Sequence, residues 1–227
     1  MFKYFLIPAF LLFTNSSTYS QKVNLSLVSP RELRGRKAVL LTREKGFAAI
    51  VHSVKLGSDT IHLDLAQDLL PDLYQLHVSQ VSGSLFFFLE SGTQIKLDTV
   101  DLSQSVVTKS GSNPDWQLFS ERIQMPSDKR LKVFSVGEKE ARRKNDTDSL
   151  NYWVEKQLAE KQDLMNKTGE FISAHPASYV SLYLLKANWF AFQDKGMFEK
   201  LDISMAGHRN YRLLKGRRRG IAATNGK

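Results

Sequence analysis

The sequence predicts an α+β protein, with an N-terminal antiparallel β-sandwich or barrel followed by a C-terminal helical segment. Three observations carry that prediction. Residues 22–110 break into eight short β-rich runs, spaced about 8 to 14 residues apart and separated by Gly, Ser and Asp. From Asn113 onward, apolar residues recur every three or four positions instead of every two. Consecutive strand runs have no helix-patterned crossover of about a dozen residues between them, which argues against a parallel sheet.

The chain opens with Lys3 ahead of an apolar stretch that ends near Phe13, followed by a small polar run to Gln21. That order is the one a secretory signal peptide has. The apolar part is shorter than the roughly 20 residues a membrane-spanning helix needs. Residues 1–20 are therefore expected to be removed after Ser20, and no transmembrane segment is expected after processing. Residues 171–192 come nearest to one, but Ser173, His175, Pro176, Lys186 and Asn188 interrupt them.

Residues 21–112 form the expected β-domain, with runs at 23–28, 38–42, 47–54 and 60–65, then 73–78, 84–89, 93–97 and 105–108. The first run alternates apolar and polar residues, as a half-buried strand does. The run Leu85, Phe86, Phe87, Phe88, Leu89 is apolar on both faces. It predicts a central strand, covered on one side by sheet packing and on the other by a helix or second sheet. Gly92 and Gly111 suit turns, because glycine adopts positive φ without steric cost.

Residues 113–206 form the expected helical region. Asn113 and Pro114 supply a cap and a first-turn proline, and Trp116, Phe119 and Ile123 mark one helix to about Met125. Residues 129–144 are mostly charged and form a weaker helical pattern. Asp146, Thr147 or Asp148 caps a helix running to about Ala174, with Leu150, Trp153, Val154 and Leu158 on one face. After Pro176, residues 179–190 predict a helix that is apolar most of the way round and forms the core of this region. Met197, Phe198 and Leu201 suggest a further short helix.

Residues 207–227 form a basic tail or linker remnant. The formal net charge is +9, yet seven cations and no acidic residue follow Gly207, so the body is nearly neutral. Arg217, Arg218 and Arg219 are the candidate interaction residues, suited to phosphates, anionic lipid or an acidic partner. A solvated tail is the plainer account of them. Nucleic acid is not expected as a partner, because the stretch lacks interleaved aromatics other than Tyr211.

The chain contains no cysteine, so it has no CxxC redox centre, no thiolate metal site and no N-terminal lipid anchor on cysteine. His52, His62, His77, His175 and His208 are scattered, with no pair at helical ligand spacing and no HExxH. No metal, cofactor-binding or catalytic residue is assigned. GxSxG, P-loop and paired-carboxylate motifs are also missing. Glu90 and the three tryptophans are better explained as a strand-end carboxylate and as core.

Several segments, in order, resemble a known family. Residues 71–76 (PDLYQL), 86–92 (FFFLESG), 95–97 (IKL) and 107–113 (VTKSGSN) lead into a helix, and residues 171–181 (FISAHPASYVS) end one helix and restart another. This layout is similar to the N-terminal β-domain, a domain of unknown function, and helical linker of exported thioredoxin-like thiol-disulfide oxidoreductases of Bacteroidetes-type bacteria. The resemblance covers nearly all of residues 21–227, but the CxxC-bearing thioredoxin domain has no counterpart in this sequence. It implies a bacterial host and a periplasmic or cell-envelope location, without a lipoprotein anchor. The expected function is a non-catalytic binding or interaction module, with an unknown envelope protein or a separately encoded thioredoxin-like protein as partner. The alternative is an exported enzyme with cysteine-independent, hydrolase-like chemistry.

Overall fold

The computed structural model describes residues 23–42, 48–57, 59–65 and 71–225, with side chains to Gly220. The expected signal peptide lies outside the described residues. Eight strands form: β1 (Val23–Ser29), β2 (Lys37–Thr42), β3 (Ala49–Lys55), β4 (Asp59–Leu65), β5 (Asp72–Val78), β6 (Leu85–Leu89), β7 (Thr93–Lys96) and β8 (Val106–Thr108). They make two four-stranded sheets, with strand orders β4-β1-β7-β8 and β3-β2-β5-β6. Both sheets are open, and the described strands do not close into a barrel.

All but one of the strand pairs are antiparallel. The exception is β1 with β7, which run parallel with Leu27 opposite Ile95. This corrects the expectation of a wholly antiparallel β-domain. The connection from β1 to β7 is not a helix; it passes through the whole second sheet. Strands that are neighbours in sequence reveal nothing about such a distant pairing.

Alternation along the strands builds one core shared by both sheets. Leu25, Leu27, Leu63 and Ile95 from the first sheet join Leu40, Leu76, Phe87 and Leu89 from the second. The turn between β6 and β7 needs a left-handed residue, and Gly92 takes it at φ +86°.

The triple-phenylalanine strand departs from its predicted place. β6 lies at the edge of its sheet, not in the centre. Phe87 points into the shared sheet core and Phe88 into a second, helical core, both fully buried, while Phe86 is 40% exposed. An exposed strand edge invites pairing with another chain. Here the side chain of Asn113 covers that edge: its Oδ1 accepts from Phe88 N at 2.9 Å and its Nδ2 donates to Phe88 O at 2.7 Å. Asn113 is therefore not the helix cap that the sequence predicts. Glu90 performs that service, accepting from Ser112 N at 3.1 Å, Ser112 Oγ at 2.8 Å and Ser110 Oγ.

Helix α1 (Ser112–Phe119) does not stop near Met125; it passes through a π-helical turn at Ser120–Gln124 into α2 (Met125–Lys144). Pro126 follows the π-helical turn directly, as the second residue of α2, so the residue that has no N–H to give the helix stands where the regular ladder is already interrupted. Asn145, left-handed at φ 54°, ends α2, and the Asp146 carboxylate caps α3 (Thr147–Ala174) by accepting from Ser149 N. α2 and α3 form an antiparallel hairpin. Arg130 pairs with Glu160 through two hydrogen bonds of 2.7 and 2.9 Å, and that guanidinium holds the Glu160 carboxyl below its usual range.

α4 (Tyr179–Ala187) buries Val180, Leu182, Leu184 and Leu185 and is the centre of the helical core, as its all-round apolar pattern predicts. A short helix α5 (Trp189–Phe192) follows; Trp189 is buried, but Phe190 is 86% exposed and is not a core residue. The basic end forms a helix, α6 (Arg209–Asn225), whose Tyr211 and Leu214 are buried against the helical core. Its first half is anchored to the fold.

Candidate functional site

Where the second sheet meets the helices, Asp72 at the start of β5 gathers three elements. Its Oδ2 accepts from Lys186 Nζ of α4 at 3.3 Å and from Asn210 Nδ2 of α6 at 2.9 Å, and its Oδ1 accepts from Leu73 N. Next to it, His208 Nε2 lies 3.0 Å from Pro71 O, while His208 Nδ1 accepts from Asn210 N at 3.1 Å. A backbone N–H must meet an unprotonated nitrogen, so the proton sits on Nε2 and the ring is neutral. Burial pushes the His208 pKa below its ordinary value, which agrees with that neutral ring.

This junction opens into a cleft of about 690 Å³, within the range of small-molecule sites. Its floor is the outer face of β5 and β6, represented by Gln75 and Phe86, and its walls carry Trp116, Phe119, Leu164 and Tyr183. Phe88 beneath them orders two walls, with its ring centroid 5.9 Å from both Trp116 and Tyr183. The Asp72 and Lys186 charges are matched to each other, leaving Asp128 and Arg217 as the other charged residues of the lining. Gln75 is only 7% exposed and lines the cleft.

The candidate interaction residues do not act as one cluster. Successive residues on a helix point about 100° apart. Arg217 therefore lines the cleft, Arg218 Nε donates to Glu199 Oε1 at 2.8 Å, and Arg219 is exposed to solvent. The histidines are equally dispersed: His52, His62 and His77 lie on β3, β4 and β5, and His175 stacks on Phe171. Two of them meet a serine, Ser26 Oγ at 2.9 Å from His62 Nδ1 and Ser84 Oγ at 3.1 Å from His77 Nδ1. Neither ring is hydrogen-bonded to a carboxylate among the described residues. No group of three or more potential metal-ligating side chains occurs among the described residues. No described helix is long and apolar enough to cross a membrane.

No protein-family model, curated protein or solved structure matches the chain. Its site rests on geometry alone. Sequence patterning missed the cleft residues Asp72, Gln75, Trp116, Tyr183 and Lys186. The signal available for Gln75 was its place in β5, where alternation with Tyr74 and Leu76 puts it on the outer face. Nothing local announces that helices cover that face.

Proposed function

We propose that this chain is a non-catalytic binding module of the bacterial cell envelope, exported by residues 1–20, whose recognition site is the cleft between sheet and helices. The observation that carries this reading is the composition of that cleft: aromatic walls on a scaffold pinned by Asp72, with its central charges Asp72 and Lys186 already paired. Paired charges hold a pocket in shape, and aromatic surface supplies most of the affinity for an occupant. In this reading the two sheets serve as a sandwich-type support, and the chain stands in for the N-terminal part of thioredoxin-like oxidoreductases. The order of eight strands followed by helices supports the comparison.

The reading is tested by recording ¹H–¹⁵N spectra of the purified protein during titration with a library of small amphipathic compounds. Saturable shifts centred on Gln75, Trp116 and Tyr183 are expected. A library that leaves these resonances unmoved overturns the proposal.

The two serine–histidine contacts favour a second reading, an exported hydrolase. They lie on sheet faces outside the cleft, and among the described residues no carboxylate orients either ring to activate the serine for nucleophilic catalysis. Covalent labelling of Ser26 or Ser84 by a fluorophosphonate would transfer the assignment to this enzyme class.

A further inference from the structure

Helix α6 carries its positive charge on a fixed surface, because Tyr211 and Leu214 on its inner side are buried in the helical core. Arg212, Leu213, Lys215, Gly216, Arg217 and Arg219 are exposed on the outer side. At about 100° per residue, Gly216 marks the middle of that outer face, with Arg212 and Arg219 about 40–60° to one side, Leu213 about 60° to the other, and Lys215 and Arg217 flanking it at about 100°. No acidic residue follows Gly207, and Arg212, Lys215, Arg217 and Arg219 form no ion pair among the described residues; Glu199 takes Arg218 instead. Arg212 and Lys215 stand three residues apart and Lys215 and Arg219 four, the spacings at which like charges on one helix repel. An anionic surface laid against the face relieves that repulsion.

We infer that the outer face of α6 docks on the surface of an anionic lipid bilayer, with Arg212, Lys215, Arg217 and Arg219 among the headgroup phosphates and Leu213 at the edge of the acyl layer. Charge complementarity calls for an anionic occupant, and three features favour lipid. Leu213 is 41% exposed in the middle of the cations, where a bilayer offers it hydrocarbon and a row of nucleic-acid phosphates offers it nothing. No aromatic side chain is exposed beside it for a base to stack on, since Tyr211 is buried. Lipid headgroups move laterally and gather beneath cations spread over an arc of about 200°, whereas a folded acidic partner must match their fixed positions. Nothing lies within 4 Å of where a Cβ on Gly216 would stand, so the helix backbone itself approaches the headgroup plane. Each Lys or Arg brought to such a surface strengthens binding about fivefold, which makes the attachment reversible and sensitive to salt. The docking does not depend on what the cleft holds.

The test is co-sedimentation of the full chain with vesicles of phosphatidylcholine alone and of phosphatidylcholine with about one third phosphatidylglycerol. Tighter binding to the anionic vesicles is expected, and it should be lost as salt rises from about 0.05 to 0.5 M. R212Q/R219Q should bind about 25-fold more weakly, two steps of about fivefold. K37Q/K55Q removes two exposed cations from β2 and β3 and should bind as the parent does. L213S should weaken binding about threefold through lost apolar contact. Urea midpoints verify that the variants fold, and all of them share residues 1–20, so any affinity of that segment for lipid cancels between them. The inference is overturned if anionic and neutral vesicles bind alike, if R212Q/R219Q and K37Q/K55Q lose equal affinity, or if L213S binds like the parent. It is also overturned if a short DNA duplex or polyglutamate binds more tightly than the vesicles at the same concentration of anionic groups, which would reassign the face to nucleic acid or to an acidic protein.

Discussion

The carboxamide of Asn113 is hydrogen-bonded to both backbone groups of Phe88, 25 residues earlier in the chain, and so ends the second sheet by imitating a further strand. Asn113→Ala leaves a buried N–H and a buried C=O unpaired at once. A loss of about 2–4 kcal/mol is expected, since each unpaired buried group costs roughly 1–3 kcal/mol. Urea denaturation measures the loss. Faster hydrogen exchange at the Phe88 amide, with exchange in β2 unchanged relative to global stability, would locate it at the sheet edge.

The neighbouring phenylalanines separate by burial. Phe88→Asp places a charge where the side chain is fully buried, and no folded protein is expected. Phe86→Asp replaces a residue 40% exposed on the cleft floor. It is expected to fold with a loss of about 1 kcal/mol, the range of strand propensities. Thermal melts by circular dichroism distinguish the two, and equal behaviour would contradict the placement of β6.

Acid should loosen the junction between β5 and α6. The folded protein holds the His208 pKa below its ordinary value near 6.5 because the ring is buried; nearby Lys186 and Arg212 act in the same direction, while the Pro71 carbonyl and Asp72 act against it. The native state therefore binds fewer protons than the unfolded chain between the depressed value and 6.5. Stability is at its full value above 6.5 and falls as the pH drops through that window. His208→Gln keeps a donor for Pro71 and cannot titrate, so this part of the pH dependence should disappear. Urea midpoints at pH 7.5 and pH 5, compared between the two proteins, give the answer.

Close approach of α2 and α3 depends on Gly137. A Cβ there would collide with the Trp153 indole, whose ring also packs on Phe134. Alanine is the better helix former by about 1 kcal/mol. Overpacking costs about 1–3 kcal/mol and should outweigh it, so Gly137→Ala is expected to lower the melting temperature. A raised melting temperature would mean that the hairpin yields without penalty.

Strand and helix patterns made most of this architecture legible. Eight β-rich runs became eight strands, and the helices after Asn113 and Asp146 and after Pro176 follow their apolar spacing. Local chemistry announces such elements because period and capping act within a few residues of chain. The join between α1 and α2 was hidden, since Pro126 reads as a break and nothing local announces the π-helical turn before it.

What the sequence alone determined is the set of elements, the absence of thiol chemistry and the concentration of positive charge after Gly207. Tertiary structure decided the parallel pairing of β1 with β7, the edge position of β6 and the dispersal of Arg217, Arg218 and Arg219 to three surroundings. It also decided that Gln75, an ordinary outward strand residue by pattern, lines a cleft walled by helices more than 35 residues away. The reason is physical: periodicity states which face of an element is apolar, but burial and hydrogen-bond satisfaction depend on what long-range packing brings against that face.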